Sequence, residues 1–180
     1  MSRLARGYLP AGTYHVTTRT AGPIPMFLDD DDRTRFCARL ERTLRRRQWK
    51  CLAFCLMPTH YHLLLEVTEN SLQAGMQELN WAYARRFNAR HGRLGHLVGE
   101  RYHCVLITTD RQMVRTARYI FRNPVKSGLC REPADWYWSS YRGTAGYDGG
   151  FRFVDPSKLL AYFGSEAPHS TEMLRAFVEE

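Results

Sequence analysis

Three features of the sequence predict an α+β fold. Short β-branched and apolar runs alternate with longer segments whose apolar residues recur every three or four positions, as in strands interleaved with amphipathic helices. Two apolar runs, 49–57 and 60–67, are separated only by Pro58 and Thr59, so we expect an antiparallel hairpin. The order strand, helix, strand, strand, helix, strand is that of a ferredoxin-like antiparallel sheet with helices packed on one face.

Residues 12–67 predict the first strands and the first helix of this fold. Gly12 to Arg19 is rich in β-branched and aromatic residues and predicts the first strand. Four aspartates, Asp29 to Asp32, are typical of a helix N-terminus, and we expect that helix to reach about Arg47. The run from Trp49 to Met57 is almost wholly apolar, which indicates a strand covered on both faces.

The second half follows the same logic. Apolar residues at helical spacing predict a second helix from Ser71 to about His91, and a fourth strand is expected from Tyr102 to Ile107. A third helix should begin at Asp110 and end near Asn123, because Pro124 disfavours helical geometry in the residue before it. The change in composition after Gly128 predicts two regions, a domain of residues 1–132 and a C-terminal aromatic and helical extension of residues 133–180 that packs on it.

Composition limits the possible functions. The formal net charge is +8, and the basic residues are mostly arginine, which suits phosphate and can stack on bases. Nucleic acid is therefore the favoured partner, with a basic surface kept for solubility as the alternative. Five scattered cysteines argue against a disulfide framework and a zinc knuckle. No apolar run could span a bilayer, and the N-terminus lacks a secretory h-region, so we expect a cytoplasmic protein without a membrane partner.

Two histidines on one strand are the candidate metal ligands. Side chains alternate along a strand, so His60 and His62 should share a face while Tyr61 points to the other. Neutral imidazoles at this spacing can reach one cation, although two ligands alone are an incomplete site. His15 on the first strand has no second ligand beside it, so we assign it a structural or DNA-facing role.

The third helix carries a tyrosine away from its apolar stripe. At about 100° per residue, Met113, Ala117 and Ile120 share one stripe, whereas Tyr119 lies nearly opposite. We place Arg115, Arg122 and Asn123 on the tyrosine side. This set favours a phosphate site, and an exposed tyrosine on a solvated face is the alternative.

Four motifs together resemble the REP-associated tyrosine transposases, which are single-tyrosine members of the HUH (histidine-hydrophobic-histidine) endonuclease superfamily. The resemblance covers almost the whole chain. It rests on Met-Pro-Thr-His-Tyr-His-Leu-Leu-Leu at 57–65, Glu-Arg-Tyr at 100–102, Arg-Tyr-Ile-Phe-Arg-Asn-Pro-Val-Lys-Ser-Gly-Leu at 118–129 and Trp-Tyr-Trp-Ser-Ser-Tyr at 136–141.

The resemblance implies the HUH nuclease fold and a site in which Tyr119 is the nucleophile and His60 and His62 bind a divalent metal, Mg²⁺ or Mn²⁺. Related transposases complete that site with a polar residue one turn after the tyrosine, often glutamine, and the matching residue here is the shorter Asn123. The implied substrate is single-stranded DNA near a hairpin, acted on through a 5′-phosphotyrosine intermediate. Candidate DNA contacts are Arg85, Arg86, Arg101, Arg115 and Arg122.

Two other functions fit the same composition. A non-catalytic single-stranded nucleic-acid-binding protein would use the same sheet and basic surface, although the Gly-aromatic signature of sheet-face RNA binders is absent from the sequence. A metal-dependent hydrolase that uses water would not need Tyr119. A monomer and a homodimer are both compatible with the sequence.

Overall fold

A four-stranded antiparallel sheet organises the chain. The computed structural model describes residues 9–99, 101–166 and 168–180, so Glu100 of the Glu-Arg-Tyr motif and the first eight residues lie outside the described part. The elements are β1 (Gly12–Arg19), α1 (Asp30–Arg47), β2 (Lys50–Leu56), β3 (His60–Val67), α2 (Leu72–Arg90), β4 (His103–Ile107), α3 (Asp110–Lys126), a 3₁₀ turn (Pro133–Asp135), α4 (Tyr141–Thr144), α5 (Ser157–Leu160) and α6 (His169–Glu179).

The strand order is β2-β3-β1-β4, and every neighbouring pair is antiparallel. The predicted hairpin of β2 and β3 and the ferredoxin-like fold class are thereby confirmed. The register between β1 and β3 sets Thr17 opposite His62. This pairing brings a hydroxyl-bearing residue of the first strand next to the histidine strand.

The two faces of the sheet carry different cores. Alternation along β3 sends Tyr61, Leu63 and Leu65 into a core with α1 and α2. Leu64 points the other way and packs with buried residues of α3, such as Ile120. His60 and His62 have the same parity as Leu64, so they belong to the α3 side of the sheet.

The aspartates at the start of α1 act as the sequence predicts for a helix N-terminus. Asp29 is the N-cap, and its side chain accepts a hydrogen bond from the Asp32 backbone N–H. The Asp32 carboxylate is buried and is paired with the Arg90 guanidinium at 2.6 Å. The pair fixes the start of α1 against the end of α2.

One predicted helix end is wrong. Helix α3 does not stop at Asn123 but runs through Pro124 to Lys126. Pro124 has no N–H to donate to the carbonyl of Ile120, but it is buried in the last turn of α3, where packing offsets this loss. The additional residues bring Lys126 onto the same side of α3 as Tyr119.

Residues that follow α3 pack against α1, β2 and α3. The Trp136 Nε1 donates to the Leu56 carbonyl at 3.0 Å, and the Trp138 Nε1 donates to the Asp30 carboxylate at 2.9 Å. Leu174 and Val178 of α6 are fully buried in the core on the α3 side. Within the described residues, no helix is both long enough and apolar enough to cross a bilayer.

Candidate active site

Helix α3 lies against the histidine-bearing face of β3. The rings of His60 and His62 are 5.0 Å apart between centroids, and the ring of Tyr119 is 5.3 Å from that of His62 at an angle of 84°. The tyrosine side chain is 39% exposed. The phenol therefore stands beside the imidazole pair while remaining open to a ligand.

Asn123 completes a group of three possible metal ligands. Its Nδ2 lies 3.2 Å from the His62 Nε2, and the residue is buried. A half-turn of the amide would present Oδ1 in place of Nδ2. Among the described residues, no three His, Cys, Asp or Glu side chains are arranged to hold a metal ion, so an amide is the available third ligand.

The other nitrogen of His62 is held from β1. Its Nδ1 is 3.0 Å from the Thr17 Oγ1 and 3.0 Å from the His15 Nε2. These contacts fix the ring so that Nε2 faces Asn123. An arrangement of this kind, in which a second residue orients a ligating imidazole, is common around metal centres.

Burial keeps these imidazoles neutral at neutral pH. Desolvation, with smaller effects of the neighbouring His15, His60 and Arg19, lowers the pKa of His62 to about 3. Desolvation and then His103 lower the pKa of His15 to about 4. The pKa of His60 is also lowered, first by burial and then by Arg19, while a hydrogen bond with Asn123 opposes the shift. Neutral rings have the free lone pair that a metal ion requires.

A cleft of about 790 Å³ opens beside Tyr119. We call it the tyrosine cleft, and among the residues that line it are His15, His62 and Tyr119 with the basic residues Arg19, Arg111 and Arg115. The Lys126 ammonium lies 5.4 Å from the centre of the Tyr119 ring. The cleft thus combines a phenol, neutral imidazoles and several cations that can bind phosphate.

The family model described as "Transposase IS200 like" matches residues 11–123, which span the sheet and α3 down to Asn123. The chain belongs to the IS200-like transposase family. Members of this family are enzymes, and the resemblance drawn from the sequence motifs is confirmed.

Two relatives of this transposase agree with that assignment. A protein of Haemophilus influenzae named a REP-associated tyrosine transposase is 25% identical over 152 residues, which cover 78% of this chain and 86% of the relative. A solved structure of a REP-associated tyrosine transposase bound to a REP hairpin has a TM-score of 0.65 and 20% identity, and the match covers 86% of this chain and 98% of that one. The similarity to this solved structure supports the fold assigned to the chain.

The predicted DNA-contact arginines of this transposase are divided between four places. Arg115 lines the tyrosine cleft beside Tyr119. Arg122 does not point there, because its Nη1 donates to the Val178 carbonyl at 2.7 Å and ties α3 to α6. Arg85 and Arg86 line a separate groove on α2. Arg101 is exposed between α2 and β4.

Sequence reasoning missed several residues at the tyrosine cleft. Thr17, Arg19 and Arg111 reach it from β1 and the first turn of α3, and Lys126 reaches Tyr119 because α3 is longer than predicted. The alternation of β1 could have put His15, Thr17 and Arg19 on one face. Only the register with β3 reveals that this face meets His62.

Proposed function

We propose that the protein is a metal-dependent single-stranded DNA endonuclease and strand transferase that acts at hairpin-containing DNA through a 5′-phosphotyrosine intermediate. The observation that carries this proposal is the meeting of Tyr119 with His62, at 5.3 Å between ring centroids, in a cleft rich in cations. Membership of the IS200-like transposase family supports the same reaction class.

The side chains present fit a divalent cation. His60 and His62 offer neutral nitrogens, and Asn123 offers an amide oxygen, which leaves coordination positions free for phosphate oxygens. Because Mg²⁺ prefers oxygen ligands, Mn²⁺ suits two nitrogens at least as well. When bound, the cation would supply Lewis-acid polarisation and a template for the scissile phosphate.

In the proposed reaction, the Tyr119 Oη attacks phosphorus while Arg19, Arg111 and Arg115 hold neighbouring phosphates. The bond from Oη to phosphorus forms as the bond from phosphorus to the 3′ oxygen breaks, and the released 3′ oxygen takes up a proton. The 5′ end stays linked to Tyr119, so the phosphodiester is conserved. A second 3′ hydroxyl can attack the phosphorus of this link, which joins a new strand as the bond from phosphorus to the Tyr119 Oη breaks and Oη regains a proton.

The proposed substrate is DNA with unpaired nucleotides next to a hairpin. A structurally similar REP-associated tyrosine transposase is described as bound to a REP hairpin, and the net charge of +8 suits a polyanion. The protein would act as a monomer or a homodimer.

A denaturing gel tests the proposal. The protein is incubated with end-labelled hairpin DNA and Mn²⁺, and we expect a covalent protein–DNA band that is lost in Tyr119→Phe, in His60→Ala and on chelation of the metal. Tyr137→Phe is the matched control, since Tyr137 is 58% exposed and is not part of the tyrosine cleft. Cleavage without a covalent band would indicate a water-using hydrolase, and binding without cleavage would indicate a non-catalytic binder.

A further inference from the structure

A groove of about 520 Å³ lies between α1 and α2, on the side of the sheet opposite α3. Arg39 of α1 and Arg85, Arg86 and Arg90 of α2 line it together with two alanines. We call it the arginine groove. None of its lining residues belongs to the tyrosine cleft, so it is a separate feature of the surface.

Three of the four guanidiniums in the arginine groove have no carboxylate partner among the described residues. Arg90 is bound to Asp29 and Asp32, whereas Arg39, Arg85 and Arg86 form no such ion pair. Elsewhere on α1 the arginines are largely neutralised. Those paired with acidic side chains are Arg33, Arg35, Arg45, Arg46 and Arg47. Of the other six arginines of α1, only Arg42 also has no such ion pair, so the groove holds three unpaired guanidiniums, and these suit a polyanion.

An exposed tryptophan stands next to these arginines. Trp81 is 60% exposed, and the Arg85 guanidinium, one helical turn further on, lies 4.6 Å from the centre of the Trp81 ring. An indole that is accessible beside arginine is a surface on which an unpaired base can stack. The small side chains of Ala82 and Ala89 leave room for a strand to approach the groove.

We propose that the arginine groove is a second DNA-contact site, which holds an unpaired segment of the DNA whose scissile phosphate lies at Tyr119. Arg39, Arg85 and Arg86 bind successive phosphates, and Trp81 stacks on a base. This inference rests on the proposed function. A sheet and one helix layer separate the groove from the tyrosine cleft by on the order of 20 Å. A DNA strand bound at both places therefore has to pass around the edge of the sheet. Only DNA with an unpaired extension reaches both places.

Two triple variants of equal charge test the arginine groove. Arg39→Gln/Arg85→Gln/Arg86→Gln removes the free guanidiniums, and Arg45→Gln/Arg131→Gln/Arg152→Gln removes three exposed arginines outside the groove. Both lower the formal net charge from +8 by the same amount. Each is made in a Tyr119→Phe background, and dissociation constants are measured against salt for a hairpin with and without unpaired extensions.

The groove variant should lose about tenfold or more in affinity for the extended hairpin, with the slope of log affinity against log salt reduced by about two, since each single-strand phosphate contact contributes about 0.7. The control variant should keep most of that slope, and the bare hairpin should not distinguish the two variants. An equal loss in both variants on extended DNA, or the same loss on the bare hairpin, would overturn the proposal.

Trp81 provides an independent measurement. Hairpin DNA with an unpaired extension should quench the tryptophan fluorescence of the protein. The Trp81→Ala variant should lose most of that quenching, and its affinity for this DNA should fall about tenfold. Because Arg39 is half-buried, Arg85→Gln/Arg86→Gln serves as a second variant that alters only exposed side chains. Covalent product formed by the unchanged protein is recorded on the same DNA. Its absence would count against the transposase reaction and would leave the binding comparison valid.

Discussion

At the residue scale, the orientation of His62 depends on Thr17. The Thr17 hydroxyl lies 3.0 Å from Nδ1, and Thr17→Val removes it with almost no change of shape. We expect affinity for Mn²⁺ to fall about tenfold or more, because residues that orient a ligating imidazole have effects of this size. Calorimetric titration of Mn²⁺ into the protein measures this affinity independently of DNA cleavage.

Thr116→Val is the control for this change. Thr116 also lines the tyrosine cleft but makes no hydrogen bond to His62. Unchanged Mn²⁺ affinity in Thr17→Val would show that His15 alone orients the ring or that the metal is bound elsewhere.

Lys126 is the cation that lies next to the ring of Tyr119, the proposed nucleophile. Its ammonium lies 5.4 Å from the centre of the Tyr119 ring, close enough to bind a phosphate group held beside this side chain. Lys126→Met should slow formation of the covalent product about tenfold at saturating DNA, after allowance for solvent screening at an exposed position. Single-turnover kinetics measure this rate, and Lys126→Arg should restore part of it. A rate unchanged by Lys126→Met would assign that role to the cleft arginines.

The difference between predicted and missed residues has a local explanation. The shared face of His60 and His62 and the position of Asn123 one turn after Tyr119 follow from periods of two and about 3.6 residues within single elements, and the resemblance implied the roles of these residues. The position of Thr17 opposite His62 depends instead on a register between strands 45 residues apart. The direction of Arg122 depends on α6, whose docking no helical wheel describes.

At the element scale, Gly75 allows α2 to pack closely on Trp49, which lies between α1 and β2. A Cβ added to Gly75 would lie 2.5 Å from the Trp49 Cζ2 and closer still to Cη2. Trp49 cannot easily move, since it is buried and its Nε1 donates to the Ser71 Oγ at 2.7 Å. The sequence predicted α2 well but gave no sign of this contact.

Gly75→Ala should therefore destabilise the protein. The gain in helix propensity is about 1 kcal/mol, whereas overpacking of a fixed core costs about 1–3 kcal/mol and here involves a severe clash. We expect a net loss of about 1–2 kcal/mol in the free energy of unfolding, measured by urea denaturation. Gln77→Ala at an exposed position of α2 should change it by less than about 0.5 kcal/mol. A stabilised Gly75→Ala variant would mean that Trp49 can turn aside.

Element types were easier to predict than element ends. Each predicted strand and long helix of residues 12–126 is present, because hydrophobic periodicity over a whole segment outweighs single residues. The end of α3 depended on one proline, and the burial of Pro124 by neighbouring elements outweighed its local preference. Sequence rules for the ends of helices are least accurate where tertiary contacts determine the end.

At the scale of the whole molecule, the C-terminal residues share a core with α3, the helix that carries Tyr119. Tyr141, Leu159 and Leu174 are fully buried among residues of α3 and the sheet. The predicted boundary between residues 132 and 133 stays a prediction. The sequence predicted that the extension packs on the first region but did not show which residues the two regions share in one core. If one core serves both regions, they should unfold together.

Leu174→Ala tests this expectation. Loss of a fully buried leucine should cost about 2–5 kcal/mol in the free energy of unfolding, and α3 should lose stability with α6 because they pack together. Circular dichroism and tryptophan fluorescence should then report one unfolding transition, shifted equally for both probes. Met173→Ala is the adjacent control, since Met173 is 45% exposed, and should be nearly neutral. Two separate transitions, with only the first shifted by Leu174→Ala, would show that residues 133–180 fold independently and that Tyr119 is positioned without them.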